Sequence, residues 1–270
     1  MKLLLEKLES IEANIKKEKP LIHHITNYVT SGDCANITLC FGASPVMAEE
    51  LEEIKEITGA ADALILNLGV INKSKFAAML AALKVAKMRG IPIILDPVGV
   101  MASQMRLNMA QELLQSGVQI IRCNYAECRA LLGDNKFGQG VDAGIACDNK
   151  GAFARQTAQK FNCVAAVTGE VDAISDGRRV VLGRNGNKLL EKVTGAGCMT
   201  TSLVACGAAV SDDCFAAAVL GITAMNIAAQ QASATLAAGE SVGTFRVNLF
   251  DAISIMKGIN IAQGFKGEIL

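Results

Sequence analysis

The sequence predicts an α/β fold in which helices cover both faces of a central, mainly parallel sheet. Short apolar runs of four to six residues alternate along the chain with longer stretches of helical periodicity. The apolar runs are continuous rather than alternating with polar residues, which is typical of strands buried on both faces of a parallel sheet. Repeated alternation of such strands with helices indicates a three-layer αβα sandwich.

Five apolar runs are the candidates for the parallel strands. They are Leu21–Ile25, Ala63–Leu68, Ile91–Leu95, Val118–Ile121 and Cys163–Val167. Two further runs, Val171–Ser175 and Arg179–Leu182, flank Asp176-Gly177-Arg178. Because Asp-Gly is a preferred hairpin turn, these two runs predict an antiparallel hairpin.

Helical patterns fill most of the chain between and after these strands. The candidates before the late glycine-rich turn are Ser31–Phe41, Glu49–Ile57, Lys73–Met88, Gln104–Leu114, Tyr125–Leu132 and Lys150–Lys160. After Gly197 we expect only helices: Cys198–Val210, Asp212–Ala238 and Ser241–Gln263. The segment from Met1 to Leu8 is charged too early for a signal peptide and predicts an amphipathic helix.

Length and composition favour one large, apolar domain. No Pro/Ser-rich linker or repeat divides the 270 residues, so we expect a single domain over 1–270. Hydrophobic residues make up 51% and charged residues 19%, which predicts a large subunit contact or several buried helices. The 26 basic and 26 acidic residues give zero net charge, which argues against nucleic acid as the main partner.

The chain is expected to be cytoplasmic, with no membrane partner. The apolar stretch 215–238 has the length of a membrane span, but it is Ala-rich and contains Asn226 and Gln230, so a buried helix is favoured. The nine cysteines, Cys147 among them, contain no C-x-x-C pair, so we expect buried thiols and no structural zinc site. His23 and His24 lie in one strand candidate; we expect at most one to face the core and neither to bind metal.

Polar or glycine residues follow all five predicted parallel strands. These segments are Thr26-Asn27, Asn67-Leu68-Gly69, Asp96-Pro97-Val98-Gly99, Arg122-Cys123-Asn124 and Thr168-Gly169-Glu170. Ordinary turn chemistry explains the glycines and asparagines, but it explains Asp96 and Arg122 less well. Since ligands of open parallel sheets bind beyond the carboxyl ends of the strands, the sequence predicts a site at this edge.

A glycine-rich turn, Val193-Thr194-Gly195-Ala196-Gly197-Cys198, leads directly into an Ala-rich helix. The free N–H groups at such a helix front bind anions, although a plain helix cap with a buried cysteine is the alternative. As an anion site, the turn would stabilise an oxyanion or a phosphoryl group in transfer. We therefore assign Ala196, Gly197 and Cys198 to catalysis.

Three other residues suit a phosphate site. Arg122 offers two parallel donors to phosphate oxygens. Asp96 and Glu127 carry oxygen ligands of the kind Mg²⁺ prefers, partly through water, although Glu127 alone is equally explained as a favourable helix N-terminus. No Walker A motif is present and no glycine-rich turn follows the first strand, which argues against a P-loop protein and a dinucleotide Rossmann site.

These motifs carry a resemblance to a known family. Asn124-Tyr125-Ala126-Glu127 is similar to the N-x-x-E signature of the ribokinase-like superfamily, and the 193–198 turn to its G-x-G-[D/C] motif. Within that superfamily the chain resembles the hydroxyethylthiazole kinase family, in order and over nearly its whole length. The segments concerned are Ile25-Thr26-Asn27-Tyr28-Val29, Gly42-Ala43-Ser44-Pro45-Val46-Met47, Leu66-Asn67-Leu68-Gly69, Leu95-Asp96-Pro97-Val98-Gly99 and Val167-Thr168-Gly169-Glu170-Val171-Asp172.

The resemblance implies phosphorylation by ATP of the hydroxyl of 4-methyl-5-(2-hydroxyethyl)thiazole, a step of thiamine salvage. It also implies a ribokinase-like sandwich and a homotrimer with active sites at subunit interfaces. The implied roles are thiazole contacts for Asn27, Met47 and Gly195, ATP contacts for Arg122 and Thr168, and Mg²⁺ binding for Asp96 and Glu127. Cys198 stands where most relatives in the superfamily have aspartate, and it is expected to accept the hydroxyl proton.

Alternatives remain at this stage. Cys198 is either a proton acceptor, helped by a helix N-terminus that lowers thiol pKa, or a small residue tolerated in a tight turn. Among functions, the alternatives are a hydroxymethylpyrimidine kinase or another small-alcohol kinase of the same fold, and a non-catalytic nucleotide-binding regulator. A dehydratase acting on damaged nicotinamide cofactors is a weaker alternative.

Overall fold

The structure is a computed structural model that describes residues 1–133 and 150–270. Nine strands of these residues form one sheet: β1 (Leu21–Ile25), β2 (Ser44–Met47), β3 (Ala63–Asn67), β4 (Ile93–Asp96), β5 (Ile120–Asn124), β6 (Val164–Thr168), β7 (Asp172–Ser175), β8 (Val180–Gly183) and β9 (Gly267–Ile269). Their order is β2-β1-β3-β4-β5-β6-β7-β8-β9. Strands β1 to β6 pair in parallel, and β6 to β9 pair antiparallel.

Helices cover both faces of this sheet. They are α1 (Lys2–Glu18), α2 (Ser31–Phe41), α3 (Ile54–Ala60), α4 (Lys73–Arg89), α5 (Gln104–Gln115), α6 (Tyr125–Leu132), α7 (Lys150–Phe161), α8 (Ala196–Ala208), α9 (Cys214–Ala234), α10 (Val242–Ile255) and α11 (Gly258–Gly264). Helices α1, α2 and α8 to α11 pack in one apolar cluster, and α3 to α7 pack in the other.

Alternate residues of each central strand enter opposite clusters, as the pleat requires. In β3, Ala63 and Ile65 belong to the first cluster, whereas Leu64 and Leu66 belong to the second. Burial on both faces explains why these runs are continuously apolar. The three-layer αβα sandwich with a mainly parallel sheet is confirmed, and so is the 171–182 hairpin, in which Ser175 pairs with Val180.

Two strands were not predicted, and both lie at the edges of the sheet. Strand β2 has four residues and includes Pro45, which has no N–H to donate to a ladder. Strand β9 has three residues and pairs with β8, so the expectation of helices alone after Gly197 is wrong. Short edge strands bury little apolar area, so they leave a weak pattern in the sequence.

Two helices begin or end at residues other than those predicted. The Glu49–Ile57 helix begins only at Ile54 and ends at Ala60; before it, the Ala48 carbonyl contacts His23 Nε2 and Glu49 pairs with Lys75 Nζ. The 241–263 helix is interrupted at Met256, whose backbone is extended. The carbonyl freed by that break accepts a 2.6 Å hydrogen bond from Lys16 Nζ.

Both histidines of β1 are buried, so the prediction that at most one faces the core is wrong. Successive side chains point to opposite faces, and helices cover both faces of β1. His23 Nδ1 contacts Thr58 Oγ1 and Nε2 contacts the Ala48 carbonyl, each at 3.0 Å. Burial lowers the pKa of both rings, that of His24 to about 3, so both are neutral near pH 7.

Helix α9 is long and apolar enough to cross a membrane, but 78% of its apolar window is buried inside the protein. It packs against α1, α8 and α10, which explains its composition as that of a central helix. The eight cysteines within the described residues are free thiols, and Cys147 lies outside those residues.

Candidate active site

The polar residues after the parallel strands meet at one edge of the sheet. Asn67 ends β3 and Asp96 ends β4, and the two residues are register partners. Arg122 lies in β5, and Thr168 ends β6 opposite Asn124. Asn27, two residues beyond β1, joins the same cluster through a 3.1 Å bond from its Nδ2 to Asn67 Oδ1.

The glycine-rich turn brings the front of α8 onto this cluster. Gly195, the N-cap residue, has a φ of 85°, which favours glycine, and a Cβ there would lie 2.5 Å from Thr30 Cγ2. A Cβ on Gly197 would lie 2.5 Å from Arg122 Nη1. The turn is therefore built from glycine because its backbone approaches Thr30 on one side and the guanidinium on the other.

Cys198 is 9% exposed, and its sulfur lies between two asparagine amides. Asn67 Nδ2 donates to Sγ at 3.2 Å and Asn27 Nδ2 at 3.6 Å. Burial raises the pKa of the thiol and the nearby Asp96 raises it further, despite the hydrogen bonds with Thr30 and Asn67 and the charge of Arg122. The lowered thiol pKa that would help a proton acceptor at a helix front is therefore not found here.

Asp96 is fully buried, and only one of its two carboxylate oxygens has hydrogen-bond partners. Its Oδ2 accepts hydrogen bonds from Asn67 Nδ2 at 2.9 Å and Thr201 Oγ1 at 2.8 Å. Its Oδ1 has no hydrogen-bond partner and lies 3.9 Å from Arg122 Nη1. Burial raises the pKa of Asp96, and Arg122 opposes the rise. A buried carboxylate oxygen without a partner suits a ligand that carries positive charge.

Glu127 forms a capping box at the start of α6. Its Oε2 accepts from the Asn124 N–H, its Oε1 accepts from the Gly99 N–H, and both distances are 2.9 Å. Burial and Asp96 raise its pKa to about 7. Glu127 is therefore explained as a residue that caps the start of α6. Only the carboxylate lone pairs not used in these two bonds could accept from a metal ion or its waters.

The donor set of Asp96 and Glu127 suits Mg²⁺, which takes oxygen ligands and keeps several waters. Across residues 1–133 and 150–270, no three acidic, histidine or cysteine side chains converge as a complete metal site. An ion held by two carboxylates of this protein would complete its shell with water and phosphate oxygens.

Arg122 links the glycine-rich turn to the end of β6. Its Nη2 donates to Thr168 Oγ1 at 2.6 Å, and its buried Nε has no hydrogen-bond partner. The next N–H along the chain, that of Gly169, donates to Asp172 Oδ1 at 3.0 Å. These bonds fix the end of β6 beside the guanidinium.

Met47 stands apart from this network. It ends the edge strand β2, pairs in register with His24 and is half-buried. Tyr28 and Val29, which follow Asn27, are 76% and 56% exposed. The residues that the sequence resemblance assigns to the thiazole therefore lie next to an exposed edge of the single chain.

A cleft of about 590 Å³ lies elsewhere, between α9 and α10, and includes Gln231, Asn248 and Met256 in its lining. It contains no residue of the strand-end cluster. We place the chemistry at the strand ends because the guanidinium, the carboxylates and the helix front converge there.

Several residues of the site region were missed from sequence. Two of them lie at the turn: Thr201 bonds Asp96, and Thr30 packs on Gly195. Two others hold backbone carbonyls beyond the strands. Lys75 Nζ donates to that of Thr26 at 2.8 Å, and Arg106 Nη1 donates to that of Val98 at 3.0 Å. Only Thr201 had a usable signal, since it lies four residues after Gly197 on the same helical face. Asn67 was noted as a strand-end residue but received no role.

Comparisons with known proteins agree with the motif analysis. The sequence profile of the Hydroxyethylthiazole kinase family matches residues 13–258. A hydroxyethylthiazole kinase of Alkaliphilus metalliredigens is 43% identical over 261 residues, 96% of each chain. One from Clostridium botulinum (strain Alaska E43 / Type E3) is 40% identical over 259 residues, 94% of this chain and 93% of that one.

Solved structures show the same relationship. A hydroxyethylthiazole kinase protein from Pyrococcus horikoshii OT3 superposes with a TM-score of 0.88 at 34% identity, and all of both chains is covered. An ADP complex of Bacillus subtilis pyridoxal kinase superposes with a TM-score of 0.57 at 15% identity, over 78% of this chain and 91% of that one. The second match shows a shared fold.

Proposed function

The chain belongs to the hydroxyethylthiazole kinase family, and from this premise we propose how its residues transfer the γ-phosphoryl group of ATP to the hydroxyl of 4-methyl-5-(2-hydroxyethyl)thiazole. The protein is a phosphotransferase with an alcohol acceptor, and its activity is a step of thiamine salvage.

One observation carries the proposal: the front of α8 meets Arg122 at the ends of the parallel strands. The N–H groups of Gly197 and Cys198 and the guanidinium then surround the phosphoryl group in transfer, whereas the Ala196 N–H, assigned to catalysis from sequence, donates to the Val193 carbonyl at 3.1 Å. Its transition state is loose, with charge spread over the oxygens, so fixed donors are the main catalytic requirement. Thr168, bonded to Arg122, holds the guanidinium toward ATP.

The thiazole alcohol lies on the other side of the turn. Asn27 is held next to Cys198, and Gly195 opens α8 beside Thr30, so the hydroxyethyl arm enters between them. Met47 supplies an adaptable apolar wall for the ring at the end of β2. The hydroxyl oxygen then faces both the phosphoryl group and the Cys198 sulfur.

Cys198 accepts the hydroxyl proton as its thiolate, which thereby becomes the neutral thiol, and it forms no covalent bond. The two asparagine amides favour the thiolate, while burial and Asp96 favour the neutral thiol. A loose transition state needs the hydroxyl proton removed only late, so a thiolate that is the minor form of Cys198 is sufficient.

Asp96 and Glu127 would hold Mg²⁺, Asp96 through its unpartnered Oδ1 and Glu127 largely through water. A bound Mg²⁺ neutralises charge on the phosphates of ATP. Meanwhile Arg122 keeps the buried Asp96 carboxylate compensated by a positive charge.

The assembly is a homotrimer with active sites at the subunit interfaces. The exposed Tyr28 and Val29 lie directly after Asn27, where a neighbouring chain would cover both them and the open side of the thiazole pocket. A closed interface would also exclude water from the reacting groups.

The test is release of ADP from ATP, measured with the thiazole alcohol and with hydroxymethylpyrimidine in parallel. We expect release with the thiazole alcohol and at most a small fraction of it with the pyrimidine. Preference for the pyrimidine would identify the other kinase, and tight nucleotide binding without release for any alcohol would identify a regulator.

A further inference from the structure

Asn67 connects the groups of this site through a single side-chain amide. A primary amide has two N–H donors and an oxygen with two lone pairs. Nδ2 donates to Asp96 Oδ2 at 2.9 Å and to Cys198 Sγ at 3.2 Å. Oδ1 accepts from Asn27 Nδ2 at 3.1 Å and from the Gly69 N–H at 2.9 Å. All four hydrogen-bonding positions are used.

The orientation of this amide is fixed by its partners. Rotating the amide by 180° would turn its oxygen toward the Asp96 carboxylate and its nitrogen toward the Gly69 N–H, so both contacts would become repulsive. Asn67 is also 1% exposed and ends a central strand, so its backbone has little freedom.

Three of the four partners come from separate parts of the fold, and the fourth, Gly69, lies two residues after Asn67, just beyond β3. Asn27 lies after β1, Asp96 ends β4 and Cys198 lies in the first turn of α8. Asn67 is therefore the common fixed point of the thiazole side, the carboxylate and the thiol. Since its donors and acceptors are all committed to protein groups, it acts on the reaction through those neighbours.

We propose that Asn67 is a positioning residue that holds the Cys198 sulfur in place for the thiazole hydroxyl while bracing Asp96 with the same amide. This inference rests on the proposed function and adds a residue to it. It follows that loss of the amide lets the Cys198 side chain rotate, while α8 itself stays fixed by its glycine contacts with Thr30 and Arg122.

The test is a double-mutant cycle for kcat between Asn67→Ala and Cys198→Ala. If Asn67 acts through the sulfur, Asn67→Ala lowers kcat about tenfold or more in the unmodified chain and less than about threefold beside Cys198→Ala. KM for ATP stays within about twofold, because Thr201 still bonds Asp96 and Asn67 has no bond to Arg122. Equal losses of kcat in the two backgrounds would overturn the proposal.

Two further variants separate positioning from general destabilisation. Asn185 is a matched control, since it is a buried asparagine with bonds to Gln230, Gly264 and Lys266. Asn185→Ala should lower the thermal midpoint and leave kcat unchanged. If Asn67→Ala does not fold, Asn67→Asp replaces it, since aspartate keeps the acceptor for Gly69 but loses both donors. An Asn67→Asp chain with normal kcat would also contradict the proposal.

A crystal structure of the Asn67 variant gives a readout that needs no turnover. We expect Cys198 Sγ to leave its present rotamer with the α8 backbone in place, and an unmoved sulfur would overturn the inference. Absence of ADP release from the unmodified chain would instead contradict the proposed function, and the rotamer result would still decide the role of Asn67.

Discussion

At the residue scale, the environment of Cys198 shows how burial and local donors compete. The first turn of a helix and two amide N–H groups favour a thiolate, but removal from water and a neighbouring carboxylate dominate, so the pKa rises. The sulfur is thus mostly a neutral thiol before substrates bind, and the smaller thiolate fraction is the form that accepts a proton.

Replacement of Cys198 tests the proton-acceptor role. Cys198→Asp should retain activity, because a carboxylate accepts a proton at the same place, whereas Cys198→Ala should lower kcat by ~10²–10⁴, the usual contribution of a general base. The measurement is kcat from ADP release. Cys206→Ala, in the same helix but away from the site, is the control and should match the unmodified chain. An unchanged kcat in Cys198→Ala would reject the base role and leave the anion turn intact.

A larger side chain in the 193–198 turn should lower activity more uniformly than loss of the Cys198 thiol. In Gly197→Val, the new Cβ would lie 2.5 Å from Arg122 Nη1 and would push the guanidinium off the phosphoryl position. We expect kcat/KM for ATP to fall by at least about 10², comparable to loss of an oxyanion donor. Gly243→Val in the exposed first turn of α10, where a Cβ has no neighbour within 4 Å, is the matched control. Normal turnover in Gly197→Val would reject the anion-turn assignment.

At the element scale, Asp172 ties the end of β6 to α9. Its Oδ1 accepts from the Gly169 N–H at 3.0 Å, and its Oδ2 accepts from Asn226 Nδ2 at 2.5 Å. Burial raises its pKa to about 7, although Arg122 and Lys150 oppose the rise. The folded state therefore retains this proton at pH values where the unfolded chain has already released it.

The contribution of Asp172 to the free energy of unfolding should consequently fall as pH rises from about 4 to 7. Asp172→Asn removes the effect and keeps the acceptor for Gly169, while Asn226 can present its oxygen to the new amide. At 1.36 kcal/mol per pKa unit, we expect the stability of the variant relative to the unmodified chain to improve by about 2.5 kcal/mol between pH 5 and pH 8. Denaturant unfolding at the two pH values measures this, and a difference that does not change with pH would contradict it.

At the scale of the whole molecule, the proposed site is complete on the side assigned to ATP and open on the side assigned to the thiazole. The parallel strands, α6 and α8 build the side assigned to ATP. The side assigned to the thiazole lies at the edge strand β2 and the exposed 28–29 segment. An assembly that covers this edge would close the pocket and bury apolar side chains at the same time.

A charge placed on that edge should dissociate the proposed trimer. In solution we expect a mass about three times 28.3 kDa, and Val29→Glu should reduce it toward one chain, because an unpaired carboxylate is costly inside an interface. Sedimentation equilibrium measures the mass. Met88→Glu, at an exposed apolar residue near the end of α4, is the control and should keep the larger mass. A Val29→Glu chain with the mass of the unmodified protein would place the interface elsewhere.

The sequence by itself determined the αβα sandwich, the parallel strands and the set of polar strand ends. It could do so because continuous apolar runs and their polar ends are local patterns that a buried sheet imposes directly on the chain. The glycines of the 193–198 turn were readable for the same reason, since close backbone approach requires them at fixed positions.

Only the tertiary structure decided which polar groups contact one another and in which state of charge. The bridge from Asn67 to Cys198 joins residues 131 positions apart, and the bond from Thr201 to Asp96 spans 105 positions. The raised pKa of Cys198, the capping bonds of Glu127 and the burial of both histidines likewise follow from packing. Burial and electrostatic interaction depend on neighbours in space, and those neighbours come together only when the sheet and its helices have assembled.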